Sequence, residues 1–148
     1  MKKIYILIAV SFFCSSFCFA DYKYELGFIA GEPTGISVKQ YLENNEAVDA
    51  AAAWSFSQKK SLSLHADYLW FREDAVKIGK SSLPLYYGIG ARLKLEDESP
   101  LVARFPLGLQ YFFKKEPLTI FAEIAPVLDL FSGLKLGMNA ALGFRVLL

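Results

Sequence analysis

Little in this 148-residue chain could build the commoner catalytic or metal centres. Its only cysteines, Cys14 and Cys18, both fall within the first 20 residues, so the rest of the chain has no disulfide and no thiolate metal site. A single histidine, His65, rules out a multi-histidine metal site, and no cofactor or metal is expected. Charge of one sign is also missing. Once Lys2 and Lys3 are set aside, 14 Lys+Arg stand against 15 Asp+Glu, which gives no electrostatic case for nucleic-acid binding. Long apolar runs are absent as well. The composition is 54% hydrophobic and 16% aromatic, yet beyond residue 20 no uninterrupted run approaches the roughly 20 residues a spanning helix needs.

Residues 1–20 read as an export signal. Lys2 and Lys3 form a positive start, residues 4–17 are apolar, and Cys18-Phe19-Ala20 offers small residues at both ends of a cleavage triplet. Cleavage after Ala20 would leave a mature domain of residues 21–148. Phe13 and Phe17 stand where a lipoprotein signal needs a small residue before the cysteine, so lipidation is not expected.

What the chain does have is alternation. Leu85, Tyr87, Ile89, Ala91, Leu93 and Leu95 occupy every second position, with Tyr86, Gly88, Gly90, Arg92 and Lys94 between them. Strand side chains alternate between two faces, so one face is apolar and the other small, polar or charged. Beyond the acidic turn at 96–100 the pattern resumes to residue 113. Each arm of this hairpin holds about 11 to 13 residues, whereas strands of soluble domains usually hold about 5 to 6. Membrane-spanning strands need about 9 to 11. The same period of two runs through residues 22–30, 35–42, 47–56, 62–71, 118–130 and 136–148. Together these segments predict an all-β fold, an eight-stranded antiparallel up-and-down transmembrane β-barrel, eight being the smallest common size. The alanine run at 50–53 would suit a helix by propensity, but Trp54, Phe56 and the flanking turns continue the strand period. Residues 72–84 read as the longest and most polar connection. Pro106 and Pro126 fall inside strands, where a missing N–H predicts a bulge.

Parity assigns an inward face carrying Lys23, Glu25, Lys39, Asp49, Asp67, Arg92, Lys94, Arg104, Glu123, Asp129 and Arg145, with His65 among them. An eight-stranded barrel is just wide enough for side chains to fill, and charges buried there are costly unless paired. The expectation is a lumen plugged by ion pairs; a narrow ion pathway is the alternative. Ser63, His65 and Asp67 share that face in the order of a nucleophilic triad. Residues two apart on one strand aim poorly at each other and no oxyanion donor is identifiable, so no enzymatic activity is expected from them. Trp54, Tyr68, Trp70, Tyr87 and Tyr111 face outward near strand ends, as membrane-interface aromatics do.

Four stretches, Gly31-Glu32-Pro33-Thr34-Gly35-Ile36-Ser37-Val38-Lys39, His65-Ala66-Asp67-Tyr68-Leu69-Trp70, Leu85-Tyr86-Tyr87-Gly88-Ile89-Gly90-Ala91-Arg92 and Glu123-Ile124-Ala125-Pro126-Val127, resemble a family of small bacterial outer-membrane β-barrel proteins of spirochaetes and proteobacteria. The resemblance covers almost the whole mature chain. It implies an eight-stranded barrel like the transmembrane domain of outer-membrane protein A, in the outer membrane of a Gram-negative bacterium, and it brings no catalytic residues. That family tends to end in an aromatic residue; this chain ends Val146-Leu147-Leu148. The function expected is non-enzymatic, structural or surface-interacting. Outer-membrane lipid would surround the barrel, an envelope or surface protein could be its partner, and a monomer is expected. The alternatives are a periplasmic lipocalin-like barrel with the apolar face inside, and a lipid-modifying enzyme using Ser63, His65 and Asp67.

Overall fold

The computed structural model describes residues 23–32, 34–55, 61–95, 101–130 and 133–148; the export signal expected at residues 1–20 lies outside them. Nine strands are described: β1 (Tyr24–Glu32), β2 (Thr34–Tyr41), β3 (Glu46–Ser55), β4 (Ser61–Ile78), β5 (Ser81–Lys94), β6 (Leu101–Arg104), β7 (Leu107–Phe112), β8 (Leu118–Asp129) and β9 (Lys135–Leu147). All pair antiparallel. Apart from β6 and β7, which do not pair with each other, consecutive strands pair, and β1 pairs with β9 from Glu25↔Leu147 to Glu32↔Ala140. The sheet therefore closes into a ring with no unpaired edge around the barrel wall. The alanine run lies in β3, paired with β2 and β4 on both sides; neighbouring ladders override helix propensity there.

β6 and β7 act as one stave. Both pair with β5 on one side and β8 on the other, and the registers run through the gap at Phe105 and Pro106 without a shift. The ring thus has eight staves, as the alternation predicts. Directly opposed residues in an antiparallel hydrogen-bonded pair exchange two bonds. At Pro106 only its carbonyl takes part, accepting from the Gly88 N–H at 3.0 Å. The bulge expected at Pro126 is not there. β8 runs unbroken, because the Pro126 carbonyl accepts the Phe105 N–H at 2.9 Å and a single donor is all the ladder loses.

The connection expected at 72–84 is corrected to a hairpin. β4 and β5 stay paired to Ile78↔Ser81, around a two-residue turn of Gly79 and Lys80 with Gly79 at φ 60°. Glycine at the first central position is a hairpin signal. A register shift between Arg72 and Val76 broke the alternation and hid it. Beyond Arg72 and Leu85 this ribbon pairs only with itself, so it projects past the barrel at the end where β1 begins and β9 ends. At the same end Asn44 and Asn45 hold φ of 61° and 60° between β2 and β3, a conformation asparagine tolerates better than most residues.

The two faces separate cleanly. Leu26, Phe28, Ile36, Leu64, Ile89, Leu107, Ile124, Leu142 and Phe144 are exposed on the outer wall, while Glu25, Lys39, Asp49, Asp67, Arg104 and Arg145 are buried inside. Inside, small residues make room for large ones across the ladders. Gly108 lies opposite Tyr86 and Gly143 opposite Phe121, and a β-carbon at either would come within 2.2 Å and 2.4 Å of the facing ring.

Candidate functional site: the charged lumen

Alternation brings the inward charges to one belt around the ring. Glu25 partners Lys39 across β1–β2, Lys39 partners Asp49 across β2–β3, and Asp49 partners Asp67 across β3–β4. Gly90 follows on β5, and Arg104 partners Gly90 from β6. Eight charged side chains inside are buried: Glu25, Lys39, Asp49, Asp67, Arg92, Arg104, Glu123 and Arg145.

Arg104 is the hub. Its Nε donates to both oxygens of Asp67, at 2.9 and 2.7 Å, and its second guanidinium nitrogen to Glu123. Glu123 also accepts the Tyr86 hydroxyl at 2.8 Å. Charge-assisted bonds of this kind are the strong ones. Arg145 reaches across the lumen. Its Nε donates to Ser37 Oγ at 2.8 Å, another nitrogen lies 3.5 Å from Asp49, and the guanidinium stacks 3.9 Å from the Phe121 ring centre. Glu25 accepts the Thr119 hydroxyl at 2.6 Å.

Lys39 is held differently. Its ammonium donates to Gln110 Oε1 at 3.3 Å and sits 4.6 Å from the Tyr86 ring centre and 5.2 Å from that of Phe71. Such cation–π contacts gain strength when desolvated. The Tyr41 ring packs at a tilt against Phe71 and Phe112, and its hydroxyl accepts from Gln110 Nε2 at 3.2 Å. Together with buried Leu69 and Ala47, these rings fill the terminal end of the lumen.

Other expected positions differ. Lys23 is exposed just ahead of β1, and Lys94 and Asp129 are half-buried near the opposite end; strand ends leave side chains room to reach solvent. Ser63, His65 and Asp67 line one strand as expected, but no relay joins them. The Ser63 hydroxyl points to the Ala53 carbonyl at 3.4 Å, and His65 Nε2 is 3.9 Å from Asp67. Inward parity also covers the neutral Ser37, Tyr41, Tyr86, Gln110 and Thr119, and the structure joins them to the charged network, which charge alone does not single out. On the outer wall Tyr68, Trp70 and Tyr87 form a row with ring centroids 5.1 and 5.9 Å apart, tilted between Tyr68 and Trp70 and stacked between Trp70 and Tyr87, and the Tyr68 hydroxyl donates to Glu46.

No protein-family model and no curated protein matches the chain. Among solved structures it is similar to the N-terminal β-barrel domain of Pseudomonas aeruginosa OprF, with a TM-score of 0.63 at 14% identity, covering 86% of this chain and 96% of that one. At that identity the likeness speaks for the fold, a β-barrel of the OprF kind.

Proposed function

We propose that the chain is a small outer-membrane β-barrel protein with a lumen closed by paired charges, serving a structural or surface-interaction role without catalysis. One observation carries this reading: the usual distribution of polarity is turned inside out. Arg145 is 1% exposed while Leu142, three residues away, is 65% exposed. Exposed large apolar side chains recur on every stave of the ring except β3, whose outward Val48, Ala50, Ala52 and Trp54 are half-buried. Soluble monomers rarely expose contiguous apolar surface of this kind, and hydrocarbon is the solvent that suits it. The OprF-like fold and the Tyr68, Trp70, Tyr87 row at one rim support the same placement, with lipid as the surrounding partner. Ring closure removes the pairing edge, which suits a monomer.

The lipocalin-like alternative needs the apolar face inside, the reverse of the orientation described above. An enzymatic role for Ser63 and His65 lacks a hydroxyl–imidazole hydrogen bond to build on. The plug follows from size, since eight strands enclose only side-chain volume, and here Arg104, Arg145, Lys39 and Tyr86 occupy it.

Envelope fractionation followed by gel migration with and without heating tests the placement. A detergent-extracted band whose migration shifts on heating is expected; recovery from the soluble periplasm without detergent would overturn it. Planar-bilayer recording tests the plug: no steady conductance is expected, and a stable ohmic channel would refute it. Unchanged lipopolysaccharide acylation in a His65→Ala strain is the expected result for a non-enzyme.

A further inference from the structure

We propose that Asp49, His65 and Asp67 form a binding site for a divalent transition ion of the Zn2+ class, inside the barrel. The register puts Asp49 directly opposite Asp67 across β3–β4, with His65 two residues away on the same face. Like charges directly opposite each other are destabilising; Arg104 and Arg145 offset the pair from its far sides, and a cation between its members would offset it directly. One candidate ligand atom from each residue lies within 4.8 Å of the other two. All three residues are deep in the wall, 3%, 7% and 2% exposed.

The second observation is independent of that spacing. Asp49 Oδ1 and His65 Nδ1 are buried without any hydrogen-bond partner, although buried polar atoms nearly always find one. The neighbouring oxygens are held by arginines: Asp67 by Arg104 Nε, and Asp49 Oδ2 by Arg145 at 3.5 Å. Metal-ligating carboxylates are commonly steadied in this way by an outer hydrogen bond that leaves a lone pair for the ion. Zn–N and Zn–O bonds of about 2.0–2.2 Å put tetrahedral ligand atoms roughly 3.3 Å apart. The cluster must therefore contract by up to about 1.5 Å, which side-chain rotation supplies. One imidazole nitrogen and two carboxylate oxygens suit Zn2+, Co2+ or Mn2+ rather than a soft ion.

Charge sets the strength. The two aspartates neutralise a dication, but Arg104, Arg145 and Arg92 line the same lumen, so binding is weaker than at a structural cysteine site.

His65 is the chain's only histidine, so its imidazole reports on the site without assignment. Untagged protein folded in detergent is titrated with Zn2+ while the imidazole nitrogen NMR signals are followed, and with Co2+ while visible absorption is read. A saturating one-to-one shift of the imidazole signals, reversed by EDTA, is expected, together with Co2+ bands that are absent in His65→Gln. Asp49→Asn should weaken binding by about tenfold or more. Imidazole signals unmoved by a large excess of Zn2+, in protein whose heat-shifted migration shows a folded barrel, would overturn the site. So would Co2+ bands that survive His65→Gln. Aspartates sharing a proton instead of an ion would give the unmoved signals. Folding alone is required, so the outcome is independent of where the barrel resides.

Discussion

At the scale of the residue, Arg104 shows why the lumen tolerates charge. It serves Asp67 and Glu123 at once, and removing it takes the guanidinium from two buried carboxylates. Arg104→Met should destabilise the barrel by about 3–5 kcal/mol, measured as a lowered urea midpoint in detergent or vesicles. Small residues matter as much as the charges they accommodate. A β-carbon at Gly108 would stand 2.2 Å from Tyr86, whose hydroxyl is tied to Glu123, so the ring cannot simply swing aside. Gly108→Ala should cost about 1–3 kcal/mol by overpacking, read in the same unfolding experiment. Both effects were half legible beforehand: parity put Tyr86, Gly108, Arg104 and Glu123 on one face, but not in contact.

At the scale of the element, period-two alternation marks most strands in the sequence, and it fails where the period is interrupted. Residues 72–84 looked like a loop because the register shift beyond Arg72 breaks the alternation and because charge dominates Arg72, Glu73 and Asp74. Gly79-Lys80 was the overlooked hairpin signal. A two-stranded ribbon without further partners is marginally stable, so trypsin should cut the folded protein first after Lys77 or Lys80, both exposed, while Lys39 stays protected. Mass analysis of the first fragments checks this. On the proposed outer-membrane placement, the same digestion of intact cells and of opened envelopes tells which side the ribbon occupies. Prolines mislead in the other direction. Neither Pro106 nor Pro126 makes the expected bulge, since the registers pass both without a shift; each proline removes one donor and its carbonyl bond survives.

At the scale of the whole molecule, ring closure between β1 and β9 turns eight amphipathic staves into one wall with an apolar outside. That wall is the surface on which the proposed membrane placement can be tested energetically. Leu142 projects outward from β9, opposite Ala30 and Ala122. In a bilayer, Leu142→Arg should cost about 2–4 kcal/mol if it lies near the midplane, and unfolding from vesicles measures it. The same substitution in a barrel surrounded by water would be nearly silent.

What the amino-acid order determined by itself was local: which residues are strands, and which side chains share a face, because side-chain direction in a strand repeats every two residues whatever the neighbours do. Which face turned outward, and which inward group met which, was decided only by the tertiary structure. Arg145 meets Asp49 and Ser37, Arg104 meets Glu123, and Asp49 comes to stand against His65 and Asp67. Those meetings depend on the stagger between strands and on closure of the ring, and neither leaves a trace in the alternation of a single strand.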